Sequence, residues 1–276
     1  MNICVSVNSE YVKYLCVSLT SLFMNNSGEK ISVHVLYIDL CKPDREVLTD
    51  LVRSFGQEIG FVHVDRERLE GFRPEPYPLE AYLRLCAPYI LPDKIDRILY
   101  LDADTIVEKP LAEFYATDMS DCYAVVCRDL KLIETGENGI KRDENCKYFN
   151  SGVMLCDLKK IREDFRFEDF VQYAKERDYD LPYADQDILN ALFEGKVKFA
   201  DPDRFNYMVN MEANCGYSEE ISSEAVILHY AGVCPWHKVK VVPSHKKWWR
   251  YARQTVFYEE LLEMKLKGPE LPKRLR

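Results

Sequence analysis

The N-terminal part of the chain alternates short apolar runs with amphipathic segments, and this alternation is the feature that most constrains the fold. The runs at 3–7, 31–39 and 58–65 are rich in β-branched and aromatic residues, which is typical of strands. Between them, residues 10–25 repeat apolar side chains at helical spacing, and 43–54 opens on a proline suited to the first turn of a helix. These strand–helix–strand units predict an α/β domain with a largely parallel sheet.

The remaining segments continue this pattern less regularly. We predict further strands and helices in this order: a helix within 79–91, strands at 97–101, 123–127 and 151–156, helices at about 158–177 and 185–194, a strand at 225–231, and one long helix at about 245–266. Residues 130–148 are polar and aperiodic, which predicts a surface loop. The predicted organisation is a main α/β domain at 1–242, followed by a C-terminal helix and basic tail at 243–276.

Charge and cysteine usage exclude several classes of protein. The net charge of -9 disfavours a general nucleic-acid binder, which relies on neutralising phosphates. The ten cysteines are scattered without a CxxC pair, so we expect reduced, packed thiols rather than disulfides or zinc ligands. No secretion signal and no apolar run of about 18 residues is present, and a cytoplasmic location is therefore expected.

The stretch RILYLDADTIV at 97–107 carries two carboxylates, Asp102 and Asp104, between two apolar runs. In an extended chain, residues i and i+2 point to the same side, so both carboxylates would face one point and repel each other. A divalent cation shared with substrate phosphates would relieve that repulsion, and ligands bind at the carboxyl ends of strands in α/β sheets. An exposed turn and the nucleophilic Asp-x-Asp of dehalogenase-like phosphatases are the alternatives, although the latter normally lies near the N-terminus.

Four separated motifs resemble the family 8 glycosyltransferases, which are retaining enzymes of the GT-A fold. They are NSEYVKYLCVSLTSL, AYLRL before RILYLDADTIV, FNSGVMLCDL followed by YADQDILNALF, and HYAGVCPWH, in order over about residues 1–240. The resemblance implies a GT-A, mostly parallel α/β sheet with a C-terminal helical extension. It also implies transfer of glucose or galactose from a UDP-sugar to a saccharide or glycolipid, as in lipopolysaccharide biosynthesis. The implied cofactor is Mn(II), with Mg(II) as the alternative.

The same resemblance assigns roles to individual positions. Asp102, Asp104 and His229 correspond to the metal ligands, and an imidazole beside carboxylates suits Mn(II) better than Mg(II). Asn150, Asp185 and Gln186 correspond to the catalytic positions that hold the transferred sugar. The implied substrate-binding residues are Ser6, Asn8, Tyr11, Arg84, Ala103, Asp129, Gly152, Gly232 and Lys238.

One motif departs from the family pattern. The family commonly reads HxxGxxKPW, with a lysine that contacts the diphosphate, whereas this chain reads HYAGVCPWH with Cys234 before the proline. Loss of that ammonium should weaken stabilisation of the leaving UDP, and a UDP-sugar-binding protein without transferase activity is therefore the alternative function. We predict that Lys238, rather than Lys240, supplies the missing charge.

The C-terminal segment groups basic and aromatic residues in HKKWWRYARQ. A helix of this composition is consistent with peripheral contact to an anionic membrane, which would suit a glycolipid acceptor. The alternative, which we favour, is that Trp248, Trp249 and Tyr251 pack the last helix onto the catalytic domain while its lysines face water.

Overall fold

A computed structural model describes residues 1–73, 77–135, 146–214, 219–238 and 240–267. Its strands are β1 Asn2–Ser6, β2 Ser32–Tyr37, β3 Glu58–His63, β4 Arg97–Leu101, β5 Thr105–Val107, β6 Ala124–Arg128, β7 Phe149–Asp157, β8 Val197–Ala200, β9 Tyr207–Met208 and β10 Ile227–His229. Its α-helices are α1 Val12–Met24, α2 Lys42–Ser54, α3 Leu83–Ile90, α4 Ala112–Tyr115, α5 Leu130–Thr135, α6 Leu158–Asp164, α7 Phe167–Glu176, α8 Asp185–Leu192, α9 Pro202–Phe205, α10 Asn210–Asn214, α11 Glu219–Glu224, α12 His245–Ala252 and α13 Tyr258–Lys267. Short 3-10 turns cover Ser9–Tyr11, Arg66–Leu69 and Leu79–Tyr82.

The strands form two sheets. The larger sheet has the order β3-β2-β1-β4-β7-β6-β8, and β7 runs antiparallel to both of its neighbours while the other pairs are parallel. The smaller sheet has the order β5-β10-β9, and β10 is antiparallel to β5. The predicted mostly parallel α/β architecture is confirmed.

Helices cover both faces of the large sheet and shield its strands from water. One core packs α1 and α2 against one face, and the other core packs α3 and α6 to α8 against the opposite face. Because β1 and β4 are covered on both sides, their sequences are nearly continuous apolar runs. The carboxyl ends of these strands therefore remain the accessible edge for a ligand.

Two predicted helices are each divided in the structure. The helix expected over 158–177 breaks at Phe165, which adopts an extended backbone and places its ring 5.2 Å from that of Tyr123. The helix expected over 245–266 ends at Ala252, where the backbone and hydroxyl of Thr255 both donate to the Ala252 carbonyl. Tertiary packing of aromatic side chains overrides helix periodicity at the first break, and local capping ends the helix at the second.

The prediction of a surface loop at 130–148 is also partly wrong. Residues Leu130–Thr135 form α5, whose first turn is capped by Asp129 through the backbone N–H of Leu132 at 3.1 Å. Residues 136–145 lie outside the described residues.

The C-terminal helices pack onto the domain, as the favoured alternative predicted. The Trp248 ring is fully buried with its centroid 5.0 Å from that of Trp236, and Trp236 in turn stacks on Tyr14 of α1 at 4.0 Å. Tyr251 accepts a hydrogen bond from Asn25 at 2.8 Å. Among the helices that the structure describes, none is both long and apolar enough to span a bilayer.

Candidate active site

The two aspartates of the RILYLDADTIV stretch lie in a tight turn between β4 and β5, not in an extended strand. The backbone N–H and the hydroxyl of Thr105 both donate to the Asp102 carbonyl, at 3.2 and 2.8 Å. Our expectation of an extended Asp-x-Asp segment is therefore wrong in its geometry. The turn nevertheless brings the two carboxylates together, so the turn and the metal-site interpretations are compatible.

The small sheet brings a histidine to the same place. β10 pairs antiparallel with β5 so that His229 lies opposite Thr105, and the Tyr230 N–H donates to the Asp104 carbonyl at 3.0 Å. His229 Nε2 is 3.2 Å from a carboxylate oxygen of Asp104 and 3.9 Å from one of Asp102. Potential ligand atoms of these three residues all lie within 4.8 Å of one another.

This donor set fits a divalent cation. Two carboxylates and one imidazole are ligands that Mn(II) accepts, and the three side chains converge on one point. Burial lowers the pKa of His229, but the adjacent Asp104 outweighs this effect and the net pKa is raised. Burial likewise opposes the charge of Asp104, yet His229 holds the pKa of Asp104 below its usual value.

Gly152 of β7 provides the space for this cluster. The Asp102 N–H donates to the Gly152 carbonyl at 2.8 Å as β4 pairs with β7. A Cβ atom at position 152 would lie 2.4 Å from His229 Cε1 and 2.6 Å from Asp102 Oδ2, both well inside contact distance. A side chain at this position is therefore incompatible with the observed positions of the two candidate ligands.

Arg84, in the first turn of α3, connects the carboxylate pair to α8. Its guanidinium contacts Asp102 and Asp185 at 2.9 Å each, and it also donates to the Ser151 hydroxyl at 3.0 Å. Burial would lower the pKa of Arg84, but these two carboxylates keep it above its ordinary range. The Arg84 side chain is only 7% exposed, so these ion pairs are shielded from water.

Asp185, the first residue of α8, is a buried carboxylate with an altered pKa. Burial is the largest cause and raises the pKa to about 6, since the charge of Asp102 adds to it and Arg84 only partly opposes it. The folded value lies above the unfolded one, so the folded state binds this proton more tightly. The contribution of the protonated Asp185 carboxyl to the free energy of unfolding is therefore fully present below about pH 4. It is lost as the pH rises through about 6.

We expect Asp185→Asn to raise the free energy of unfolding at pH 7.5, by about 3 kcal/mol at most, because an amide avoids burial of the charge. Denaturant unfolding of both proteins at pH 7.5 and pH 4.5 measures the effect. The gain should shrink at pH 4.5, where the wild-type carboxyl is protonated. A less stable variant at pH 7.5 would show that the attraction to Arg84 outweighs burial.

Asn150, Gln186 and Asp129 form one buried hydrogen-bonded group beside Gly152. Asn150 donates to Asp129 at 3.2 Å and to Gln186 Oε1 at 3.1 Å, and Gln186 Nε2 donates to Asp129 at 3.2 Å. The Ser151 N–H also donates to Gln186 Oε1 at 3.0 Å. Gln186 Oε1 therefore accepts two hydrogen bonds, which hold its amide in one orientation.

This group lies where β7 has a bulge relative to β6. Val126 pairs with Met154, but the next residue, Cys127, pairs with Asn150. The intervening residues of β7 leave the ladder on that side, which frees the Ser151 N–H for Gln186. Bulges often redirect side chains beside functional sites.

Ala184, immediately before this group, has φ 51° and ψ -120°, a conformation that L-residues rarely adopt. Such strain persists only where the surrounding structure enforces it. Here it turns the chain so that Asp185 and Gln186 both point inward and are buried.

Sequence reasoning missed Asn206, which connects the histidine to this group. Its side chain is 1% exposed and lies 3.0 Å from His229 Nδ1 and 2.9 Å from Asn150 Oδ1. It belongs to the short segment between α9 and β9 and to none of the motifs considered above. A lone asparagine beside a phenylalanine and a tyrosine carries no local signal of this role.

Ser6, Asn8 and Tyr11, which the resemblance assigns to substrate binding, lie at or just after the carboxyl end of β1. The Ser6 hydroxyl bonds the Tyr100 hydroxyl at 2.5 Å, and Tyr100 donates to Asp102 at 3.2 Å. Asn8 Oδ1 accepts from the Tyr11 N–H at 3.2 Å and caps the short turn that follows. The Tyr11 ring is 43% exposed and is thus accessible to a ligand.

Gly232 and Cys234 lie in the loop that follows His229. Gly232 has a φ of 78°, so the turn requires glycine there. The Cys234 thiol donates to the Tyr230 carbonyl at 3.3 Å, and burial, reinforced by Asp104, raises its pKa well above the usual value. A neutral thiol does not replace an ammonium. Ala103, between the two aspartates, is buried.

The two lysines considered as substitutes differ in their surroundings. Lys240 donates to the Ala213 carbonyl at 2.8 Å and is therefore engaged elsewhere. The Lys238 side chain is exposed and makes no hydrogen bond or ion pair with the residues that the structure describes.

The fold is that of the GT-A glycosyltransferases. The structure of the galactosyltransferase LgtC in complex with donor and acceptor sugar analogs superposes with a TM-score of 0.81, at 27% identity over 93% of this chain and 96% of that one. The model of the family "Glycosyl transferase family 8" matches residues 2–240, and the chain belongs to this family.

Relatives in sequence agree with this assignment. A putative glycosyltransferase of Haemophilus influenzae is 29% identical over 86% of this chain and 73% of its own length. A lipopolysaccharide 1,2-glucosyltransferase of Escherichia coli is 28% identical, with the same two coverages of 86% and 73%. The chain is accordingly a glycosyltransferase, and the phosphatase and non-catalytic alternatives are set aside.

Proposed function

We propose that this glycosyltransferase moves glucose or galactose from a UDP-sugar to a saccharide or glycolipid acceptor with retention of the anomeric configuration. Asp102, Asp104 and His229 would hold the divalent cation, Mn(II) or alternatively Mg(II). The convergence of these three side chains at the carboxyl end of β4 is the observation that carries the proposal. The names of the relatives, a lipopolysaccharide glucosyltransferase and a galactosyltransferase with bound sugar analogs, support the substrate class.

A cation at this site would supply positive charge to the diphosphate leaving group. Tyr11 offers an exposed ring on which the uracil base can stack, and Asn8 offers a carbonyl acceptor that also caps the adjacent turn. Ser6 is linked to Asp102 through the Tyr100 hydroxyl, and Ala103 follows Asp102 in the chain. Both residues would complete the nucleotide-binding surface.

Arg84 acts in this proposal as a positioning residue. Its guanidinium is bound to Asp102 and Asp185, so it orients one carboxylate of the metal site and one of the sugar site together. A rigid planar fork suits this double contact better than a lysine would. We therefore assign Arg84 an indirect effect on the sugar donor, rather than the substrate-binding role that the resemblance implies.

The transferred sugar would lie against Asn150, Asp185 and Gln186. Asp185 can accept from sugar hydroxyls, and the oriented Gln186 Oε1 would place partial negative charge near the anomeric carbon as positive charge develops there. The anomeric carbon loses its bond to the diphosphate oxygen and gains one to the acceptor oxygen, on the same face. The acceptor proton passes to the departing phosphate oxygen.

A covalent double displacement through Asp185 or Asp129 is the competing route. The Asp185 carboxylate is engaged by Arg84 and Ser151, and Asp129 accepts from Leu132, Asn150 and Gln186. A nucleophile in either role would have to give up several of these contacts. The contacts therefore favour direct transfer on one face.

The test is release of UDP from UDP-glucose and UDP-galactose, with and without Mn(II), followed by NMR of the product anomer. The proposal expects metal-dependent release with at least one donor and an α-linked product from an α-linked donor. Release that is insensitive to chelation, or an inverted anomer, would contradict it.

Lys238 is proposed to supply the charge that Cys234 lacks. We expect Lys238→Ala to raise the donor KM or lower kcat at least about tenfold, which corresponds to about 1.4 kcal/mol of lost stabilisation of the leaving group. Lys240→Ala is the matched control, since its ammonium is bound to the Ala213 carbonyl. Steady-state kinetics with varied donor measure both variants. Equal rates for Lys238→Ala and wild type would reject the assignment.

The acceptor and its location complete the proposal. We propose a saccharide or glycolipid on the cytoplasmic side, with the basic C-terminal segment nearest the membrane. In this proposal the segments 1–242 and 243–276 differ in function. They are not separate structural domains, because α12 packs on α1 and on Trp236.

A further inference from the structure

A chain of side-chain hydrogen bonds joins His229 to Asp129 across the site. His229 Nδ1 contacts Asn206 Oδ1 at 3.0 Å, Asn206 Nδ2 donates to Asn150 Oδ1 at 2.9 Å, and Asn150 Nδ2 donates to Asp129 at 3.2 Å. All four residues are at most 8% exposed. Water therefore does not substitute readily for any of these contacts.

The direction of every bond in the chain is determined by one backbone group. The Gly152 N–H donates to Asn150 Oδ1 at 3.0 Å, and a backbone N–H can only donate. The atom of Asn150 that faces Asn206 is thus the oxygen. Asn206 must then present its NH₂ to Asn150 and its oxygen to His229.

An oxygen acceptor at this position selects one tautomer of the histidine. His229 Nδ1 must carry the proton that Asn206 Oδ1 accepts, and in the neutral ring the lone pair is then on Nε2. Nε2 is the nitrogen that faces Asp104 at 3.2 Å. Partners that fix the tautomer of a ligating histidine typically change metal affinity about 10- to 100-fold when they are removed.

We infer that Asn206 is a positioning residue that holds His229 in the Nδ1-protonated form required for metal binding, and that couples this ligand to the sugar-side residue Asn150. The claim that Asn206 supports metal binding rests on the proposed metal-dependent function. The claim that Asn206 fixes the tautomer of His229 concerns the metal-free protein alone.

A purely structural role for a buried asparagine is the alternative, and the chain offers a matched control. Asn210 is also buried, and it follows Asn206 by four residues. Its amide nitrogen donates to the Ala231 carbonyl at 3.2 Å, and its Oδ1 has no hydrogen-bond partner among the described residues, His229 included. Asn206→Leu and Asn210→Leu remove similar groups from the same region.

The first experiment is ¹⁵N NMR of histidine-labelled, metal-free protein at alkaline pH, where the imidazole is neutral. The His229 signals are identified with His229→Asn. Wild type and Asn210→Leu should show the Nδ1-protonated form, whereas Asn206→Leu should show a mixture or the other tautomer. An unchanged tautomer in Asn206→Leu, or the same change in Asn210→Leu, would overturn the inference.

The second experiment measures Mn(II) binding in the presence of UDP by electron paramagnetic resonance. Asn206→Leu should weaken binding at least about tenfold. Asn210→Leu should bind within about threefold of wild type, because the Asn210 amide donates to the Ala231 carbonyl and not to the His229 ring. Equal weakening by Asn206→Leu and Asn210→Leu would contradict the inference. Absence of Mn(II) binding by wild type would instead refute the proposed function, and the NMR result would still decide the tautomer.

Discussion

Asp104→Asn is expected to lower kcat/KM for the UDP-sugar by about 1000-fold, through loss of several kcal/mol of charge stabilisation by the cation. Asp104 is the better choice of the two aspartates, because Asp102 also contacts Arg84 and Tyr100. His229 keeps the pKa of Asp104 low, so the wild-type residue is a charged ligand at neutral pH. The amide removes that charge and also leaves His229 without its closest anionic partner.

Kinetics with saturating Mn(II), together with Mn(II) titration by electron paramagnetic resonance, measure this effect. Asp96→Asn is the matched control, since Asp96 is exposed at the opposite end of β4. The control should retain wild-type activity. If Asp104→Asn retained more than about a tenth of the wild-type rate, the metal site would have to lie elsewhere.

Gly152→Ala is expected to have the second largest effect, a loss of about 100-fold in activity together with weaker Mn(II) binding. The added methyl group would lie 2.4 Å from His229 and 2.6 Å from Asp102. Neither side chain can retreat cheaply, because His229 is bound to Asn206 and Asp102 is bound to Arg84. The methyl group must therefore displace a candidate ligand or separate β7 from β4.

The control for this variant is Gly60→Ala in β3, another strand glycine, where an added Cβ has no neighbour within 4 Å. Gly60→Ala should leave kcat, KM and Mn(II) affinity unchanged. Thermal melting of both variants separates a local effect from global unfolding. Near-normal metal affinity in Gly152→Ala would show that His229 or Asp102 does not bind the cation.

Strand positions were predictable where burial made the sequence nearly continuous in apolar residues. β4 agrees with its prediction at both ends, and β1 begins and ends one residue earlier than predicted. Helix boundaries were less predictable, since the break at Phe165 depends on rings contributed by distant segments. The small sheet was not predicted, because β5 and β9 have only three and two residues.

The site residues also divide into those that the sequence indicated and those that only the structure revealed. Asp102, Asp104, His229 and the Asp185-Gln186 pair stood out because they occur in recognisable motifs. Arg84 was also identified, but its partners were not, since its contact with Asp185 crosses about a hundred residues of chain. Asn206 carried no signal, because its importance lies in two contacts with residues far away in the sequence.

The amino-acid sequence alone determined the α/β class, the family to which the chain belongs and the candidate metal-binding residues, since these depend on local periodicity and on residue types at fixed spacing. Only the tertiary structure decided that the Asp-x-Asp segment is a turn, that Gly152 leaves room for His229 and that Arg84 is held by two carboxylates. These features arise from the pairing of β4 with β7 and of β5 with β10. Such pairing depends on burial and register across the whole domain, which no short segment encodes.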